Sequence, residues 1–275
     1  MLEEVTKQQI IKVKGTEAQL VQDSIVRETP LTLYFNEEEI VTMLCSPAQI
    51  EELAVGFLLS EGFITQPEDL TDLSYDPRQS MIWITGRKRP LQSKLMSKRF
   101  LSACCGKSRT SFYFANDAQL AKPCASNLTI SLSQAYRYIE YLEKPLPLFQ
   151  DTGGIHSGGI GSDGEIVCSA YDIGRHNVFD KLYGHAFRNR KSLEKCVLFF
   201  SGRVSSEILL KVAKMGCPIL IARSAPTDLA LQLAQDLNIT VIGFARGEKL
   251  NIYTSPERII LPYDLKLPIP QECSR

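Results

Sequence analysis

Cys104 and Cys105 stand side by side in the most basic stretch of a chain whose charges otherwise balance. Between Pro77 and Asn116 there is no Asp or Glu, while Arg78, Arg87, Lys88, Arg89, Lys94, Lys98, Arg99, Lys107 and Arg109 all fall there. Nearby cations stabilise a thiolate, the nucleophilic and metal-binding form of cysteine. Small residues before the pair and Gly106 after it read as a loop. On residue types alone the pair suits redox, metal or nucleophilic work, and the basic stretch reads equally as a solvated face.

A second constellation lies in the middle of the chain. A glycine-rich run, residues 151–161, contains His156 and leads through a Ser-Asp-Gly turn into an expected strand at 165–170. Next come Asp172, Gly174, Arg175, His176 and Asn177, close to an expected helix start with Val178, Leu182 and Ala186 at helical spacing. His156 and His176 suit acid–base work, nucleotide contacts or metal ligation. There is no Cys-x-x-Cys and no His-x-Glu, so the local spacing supplies no zinc set. The glycine run reads as a loop, and it lacks the dinucleotide fingerprint because it does not open a helix after a strand.

The elements that must position these residues are partly readable. The 275 residues, 44% of them apolar, suffice for a large core. Residues 31–35 and 40–44 flank a polar turn and read as a hairpin. Ser46, Pro47 and Gln49 have the pattern of a capping box, ahead of Ile50, Leu53, Ala54, Phe57 and Leu58 at helical spacing and Gly62 as the stop. Residues 81–85 read as a strand and 131–142 as a helix. Residues 197–200, 218–222 and 239–244 are apolar runs separated by the helices 205–215 and 227–237, which predicts parallel βαβ units. In such sheets ligands bind beyond the carboxyl ends of the strands. Those ends carry Arg203, Arg223 and Arg246 with several Gly and Ser residues, so the edge suits a phosphate-bearing ligand.

What is absent also narrows the field. Eight cysteines in 275 residues, six of them scattered, do not make a disulfide scaffold, and Cys168 and Cys196 in apolar runs read as buried hydrophobes. Residues 1–15 lack an apolar core of signal-peptide length, and no run of 18 apolar residues exists. A cytoplasmic protein without membrane or nucleic-acid partners is expected.

Several separated segments resemble the FdhD/NarQ family, the accessory sulfurtransferases of formate dehydrogenase. They are residues 152–156 around His156, Asp172 to Asn177 with Asp180, Lys181 and Leu182, Ser201 to Arg203 with Ser206 and Glu207, Ser224 to Pro226, Gly243 to Arg246, and Asn251 to Thr254. Ala54 to Phe57 and Ser60 to Gly62 extend the match towards the N-terminus. The resemblance implies an α/β fold: a cytidine-deaminase-like C-terminal domain with parallel βαβ units, residues 131–275, after a smaller strand-rich α+β portion, residues 1–130, that carries the cysteine loop. It also implies a homodimer that takes sulfur from a cysteine desulfurase as a cysteine persulfide. The sulfur would go to the molybdenum bis(guanine dinucleotide) cofactor of formate dehydrogenase, bound as substrate, with no structural metal in the chain. Cys105 and Cys104 would be catalytic, and Phe244, Ala245, Arg246, Gly247, Glu248 and Lys249 would bind the cofactor with Arg203, Arg223, His156 and His176.

The pattern departs at the active loop. Much of the family has Cys-Gly-x-Cys-Gly, whereas here the two cysteines are adjacent, so Cys105 is assigned the persulfide, Cys104 the helper, and their order stays open. Two other readings are a cofactor-binding chaperone without sulfur chemistry and a zinc-dependent nucleotide deaminase. The deaminase needs the missing His-x-Glu and Pro-Cys-x-x-Cys sets.

Overall fold

The computed structural model describes residues 3–87, 120–144 and 146–262. Cys104, Cys105 and most of the basic stretch lie outside these residues. The chain opens with an antiparallel ribbon, β1 (Val5–Lys14) and β2 (Glu17–Val26), which forms a sheet of its own. β3 (Thr29–Phe35) and β4 (Glu38–Cys45) form the expected hairpin, with Asn36 and Glu37 at positive φ in its turn. α1 (Ile50–Ser60), β5 (Leu70–Asp76) and β6 (Met81–Gly86) follow, and the four strands align in the order β4-β3-β6-β5. Leu31, Leu33, Phe35, Ile82 and Ile84 pack under Leu53, Phe57 and Leu58 of α1 as a first core.

The start of α1 corrects the sequence reading. The helix begins at Ile50, and its N-cap Gln49 sits at φ 53° with no side-chain cap. Ser46 is engaged elsewhere: its N–H donates to the Asp172 carboxylate, and its hydroxyl accepts the N–H of Ile173. A long-range partner has outcompeted the local cap. Gly62, at φ 76°, ends the element as expected.

β7 (Ile130–Ser131) and α2 (Leu132–Glu143) come next, and here Ser131 and Gln134 do form a capping box. α3 (Pro147–Thr152) starts on its proline. β8 (His156–Ser162) occupies most of the glycine run, a strand where the glycine content predicts a loop. A Cβ on Gly159 would lie 2.2 Å from the Phe199 ring, and one on Gly161 would lie 2.1 Å from the Tyr138 ring. Those two rings stack with centroids 5.4 Å apart. Glycine is therefore required because aromatic side chains lie directly on the strand.

The remaining elements are β9 (Glu165–Asp172), α4 (Arg175–Arg188), β10 (Val197–Phe200), α5 (Ser206–Met215), β11 (Ile219–Ala222), α6 (Asp228–Asp236), β12 (Thr240–Arg246), β13 (Lys249–Ile252) and β14 (Ile259–Ile260). β14 pairs with β7. β10, β11 and β12 are parallel, as expected, within a six-stranded sheet ordered β13-β12-β11-β10-β8-β9. Ser205 and Thr227 cap α5 and α6 through their hydroxyls. Alternate strand residues face two layers: Leu198 and Phe200 meet α4, α5 and α6, while Val197 and Phe199 meet α2. The result is a mixed α/β fold with several sheets. Among the described residues no helix is long and apolar enough to cross a membrane.

Candidate functional site

β8 runs antiparallel to β10, so its first residues share an edge with the carboxyl ends of β10, β11 and β12. The turns there are stitched together. Ser201 N–H donates to Ser157 O at 2.9 Å, and Ser157 N–H donates to Ser201 Oγ at 3.0 Å. Arg223 N–H donates to Phe200 O at 2.9 Å, and Ser224 Oγ donates to Ser201 O at 3.3 Å. A cavity of about 440 Å³ opens at this edge, lined by His156, Ser157, Ser201, Arg223, Lys144 and Phe149 among others.

His156 packs its ring against Phe200, with centroids 5.9 Å apart. Gly202 lets it approach, since a Cβ there would lie 3.3 Å from His156 Nδ1 and 2.7 Å from the Phe200 ring. Burial holds the His156 pKa below its usual value, and the charges of Arg175 and His176 push the same way, against Asp172. It therefore enters the cavity as a neutral imidazole that can donate and accept one hydrogen bond each. His176 points to a different partner. Its Nε2 lies 2.9 Å from Glu207 Oε2.

A buried hub shapes the loop that leads to His176. Asp172 is fully buried and accepts hydrogen bonds from Gly174 N–H, Asn177 Nδ2 and Ser46 N–H. Its charge is met by Lys181 at 2.6 Å, also fully buried, which donates to Tyr171 O as well. Asn177 reaches across to Leu44 O at 2.9 Å. One turn on, Asp180 pairs with Lys211 and accepts from Ser60 Oγ at 2.6 Å. The motif residues Asp172, Asn177, Asp180 and Lys181 thus form a scaffold, and Arg175 and His176 are what it presents.

A second cavity of about 770 Å³ lies beside the β12–β13 turn, lined by Leu132, Tyr136, Phe244, Glu248, Lys249 and Leu250 among others. Phe244 has φ 50°, is 47% exposed and sits where the β12–β13 register shifts. A β-bulge re-aims a side chain in this way. Gly247, next to Glu248 of this cavity, donates its N–H to Glu143 Oε1 at 3.0 Å, and Glu143 lines the first cavity, so one hydrogen bond links the two walls.

The expected site residues therefore separate. His156 and Arg223 share one cavity, and Phe244, Glu248 and Lys249 share the other. Gly247 lies between them, Ala245 is fully buried in the core, and Arg203 and Arg246 are exposed and line neither. Cys104 and Cys105 lie outside the described residues. Sequence reasoning passed over Ser157 and Lys144 as cavity residues and assigned Glu207 no role. The Ser206–Glu207 pair was visible, but its contact with His176 is purely tertiary.

Four of the described cysteines are poor thiolates. Burial pushes Cys45 and Cys217 up to about 12 and Cys168 up to about 11, and it raises Cys196 as well. Native protein at neutral pH is expected to leave these four unmodified by iodoacetamide, as peptide mass mapping would read. Rapid native labelling at any of them would contradict the burial argument. Among the described residues no group of three His, Cys, Asp or Glu is placed to hold a metal ion.

Fold and edge together define a mixed α/β protein with a cavity at the carboxyl ends of its parallel strands. The chain belongs to the FdhD/NarQ family, which it matches over residues 26–260. It is 46% identical over 243 residues to sulfur carrier protein FdhD of Halalkalibacterium halodurans, covering 88% of this chain and 90% of that one. It is 41% identical over 263 residues to sulfur carrier protein FdhD of Listeria monocytogenes, covering 93% and 98%. A crystal structure described as a formate dehydrogenase accessory protein of Desulfotalea psychrophila superposes with a TM-score of 0.77 at 24% identity, over 94% of this chain and 100% of that one. That likeness carries the fold.

Proposed function

We propose that this chain is a sulfur carrier that supports formate dehydrogenase, acting as a sulfurtransferase on its molybdenum bis(guanine dinucleotide) cofactor. Family membership over residues 26–260 is the observation that carries the reading. Cys105 or Cys104 attacks the sulfane sulfur of a cysteine desulfurase persulfide, and the donor cysteine leaves as a thiolate. The new persulfide then passes its terminal sulfur, reduced to sulfide by two electrons from a cellular thiol reductant, to the cofactor held as cargo at the sheet edge, and the carrier cysteine returns to its thiolate. The raised pKa values of Cys45, Cys168, Cys196 and Cys217 support placing this chemistry on the adjacent pair.

Two cavities whose walls are linked by the Gly247–Glu143 hydrogen bond suit an extended dinucleotide cargo. The exposed ring of Phe244 gives a nucleobase a stacking surface, and Arg223 with neutral His156 offers donors to phosphate. The strand order, with an antiparallel β8–β9 pair beside three parallel strands, supports a cytidine-deaminase-like assignment for residues 131–275. Residues 1–130 then form the sulfur-bearing portion of a cytoplasmic homodimer.

Mass spectrometry after incubation with a cysteine desulfurase and cysteine tests the reading directly. One added sulfur on Cys105 or Cys104 is the expected result. The Cys104→Ala/Cys105→Ala double variant should keep guanosine diphosphate binding and lose all restoration of formate dehydrogenase activity. Restoration by the double variant would leave only the chaperone reading. Arg223→Ala and Phe244→Ala should each weaken guanosine diphosphate binding about tenfold by calorimetry while persulfide loading persists. Unchanged affinities in both would remove the edge site.

A further inference from the structure

The β1–β2 ribbon has no part in the site described above, and the family match begins only at residue 26. Residues 11–20 are all exposed. The two faces of this distal half differ sharply. One carries the cross-strand rungs Ile11–Leu20 and Val13–Ala18, with Ile11, Leu20 and Val13 exposed by 68%, 66% and 65%. The other carries Lys12–Gln19 and Lys14–Glu17. A free two-stranded ribbon is marginal in water, and a contiguous aliphatic block on one marks a surface made to be covered.

The base of the ribbon fixes where that surface stands. The Tyr171 hydroxyl donates to the Glu4 carboxylate, and Arg27 N–H donates to Glu4 O at 2.8 Å. Val26 packs so closely on Gly154 that a Cβ there would lie 2.6 Å from Val26 Cγ1. Gly154 lines the cavity of His156 and Arg223, so the ribbon rises from the rim of that cavity.

We infer that the ribbon is a docking arm for the protein that receives the cargo, a folded and cofactor-free acceptor enzyme presenting an uncharged apolar strip about two strands wide. The inference rests on the proposed cargo site. Area decides against a second copy of this chain as the occupant. Five residues at about 3.4 Å each, across two strands, give a footprint of roughly 200 Å². A lasting two-fold interface needs about 800 Å² from each partner. A handover needs the opposite, a contact that releases. The homodimer proposed above then uses another face. Because the rungs carry no charge, the contact should be nearly insensitive to salt.

The test measures binding of the full-length chain to cofactor-free formate dehydrogenase by biolayer interferometry, at low and high salt. Ile11→Asp with Leu20→Asp should weaken binding at least roughly tenfold, as loss of a central apolar contact does. Guanosine diphosphate affinity and persulfide loading should stay at wild-type values, which also shows that the variant is folded. Lys12→Ser with Gln19→Ser, on the opposite face, should change nothing. Unchanged acceptor binding by the aspartate variant overturns the arm. So does a light-scattering mass that falls from dimer to monomer in that variant, since the occupant would then be a second copy. A wild-type chain that binds no guanosine diphosphate overturns the cargo site and the arm with it.

Discussion

Gly56→Ala and Gly184→Ala, each a single added methyl group, are expected to destabilise the protein by about 3 kcal/mol or more, at the upper end for overpacked cores. The two glycines lie on α1 and α4 where these helices cross. A Cβ on Gly56 would lie 1.7 Å from Asp180 O, and one on Gly184 would lie 1.9 Å from Glu52 O. The obstacle is helix backbone in both cases, which cannot rotate aside. Alanine's better helix propensity returns only about 1 kcal/mol. The same crossing carries Asp180 with its partners Lys211 and Ser60, so separating the helices would also break that buried pair. Urea denaturation would report the loss as a lower midpoint. A midpoint equal to wild type in both variants would mean that the helices sit farther apart than described.

Asp172→Ala should cost about 3–5 kcal/mol, the usual penalty for leaving a buried charge without its partner. Lys181 would remain fully buried with only the Tyr171 carbonyl beside it, and three donors would lose their acceptor. Asp172→Leu combined with Lys181→Met separates stability from positioning. Apolar replacement of a whole buried pair is often neutral, so this double variant should recover most of the loss. Gly174 and Asn177 would still lack the carboxylate that holds them, so the loop through Ile173, which lines the cavity of His156 and Arg223, would no longer be held in one geometry. The expected result is a near-wild-type unfolding midpoint with guanosine diphosphate affinity still reduced. Recovery of both together would show that Asp172 acts on the fold alone.

How much of this could be read in advance differs from element to element. The parallel strands β10, β11 and β12 are plain because each opens with a short apolar run buried on both faces, and capped helices follow β10 and β11. The two Ser-x-x-Gln patterns show the limit of local reading. Ser131 and Gln134 form their box, whereas Ser46 is drawn away by a carboxylate 126 residues later. β8 was invisible because glycine carries no apolar period, and its reason for being glycine lies in Tyr138 and Phe199. At the site, arginines at strand ends were legible as a group. The separation of Arg223 from Arg203 and Arg246 depends on cavity walls supplied by α2 and α3, which no strand-end pattern contains.

The raised pKa values of those four thiols bear on accuracy of delivery. Sulfane sulfur is labile and passes to any thiolate it meets. Cys45, Cys168, Cys196 and Cys217 stay protonated at cellular pH, so the body of the protein offers those sulfurs no competing landing place. With those four closed, the freight is confined to the remaining cysteines, and sulfur found on any of the four would mark a molecule whose fold had opened.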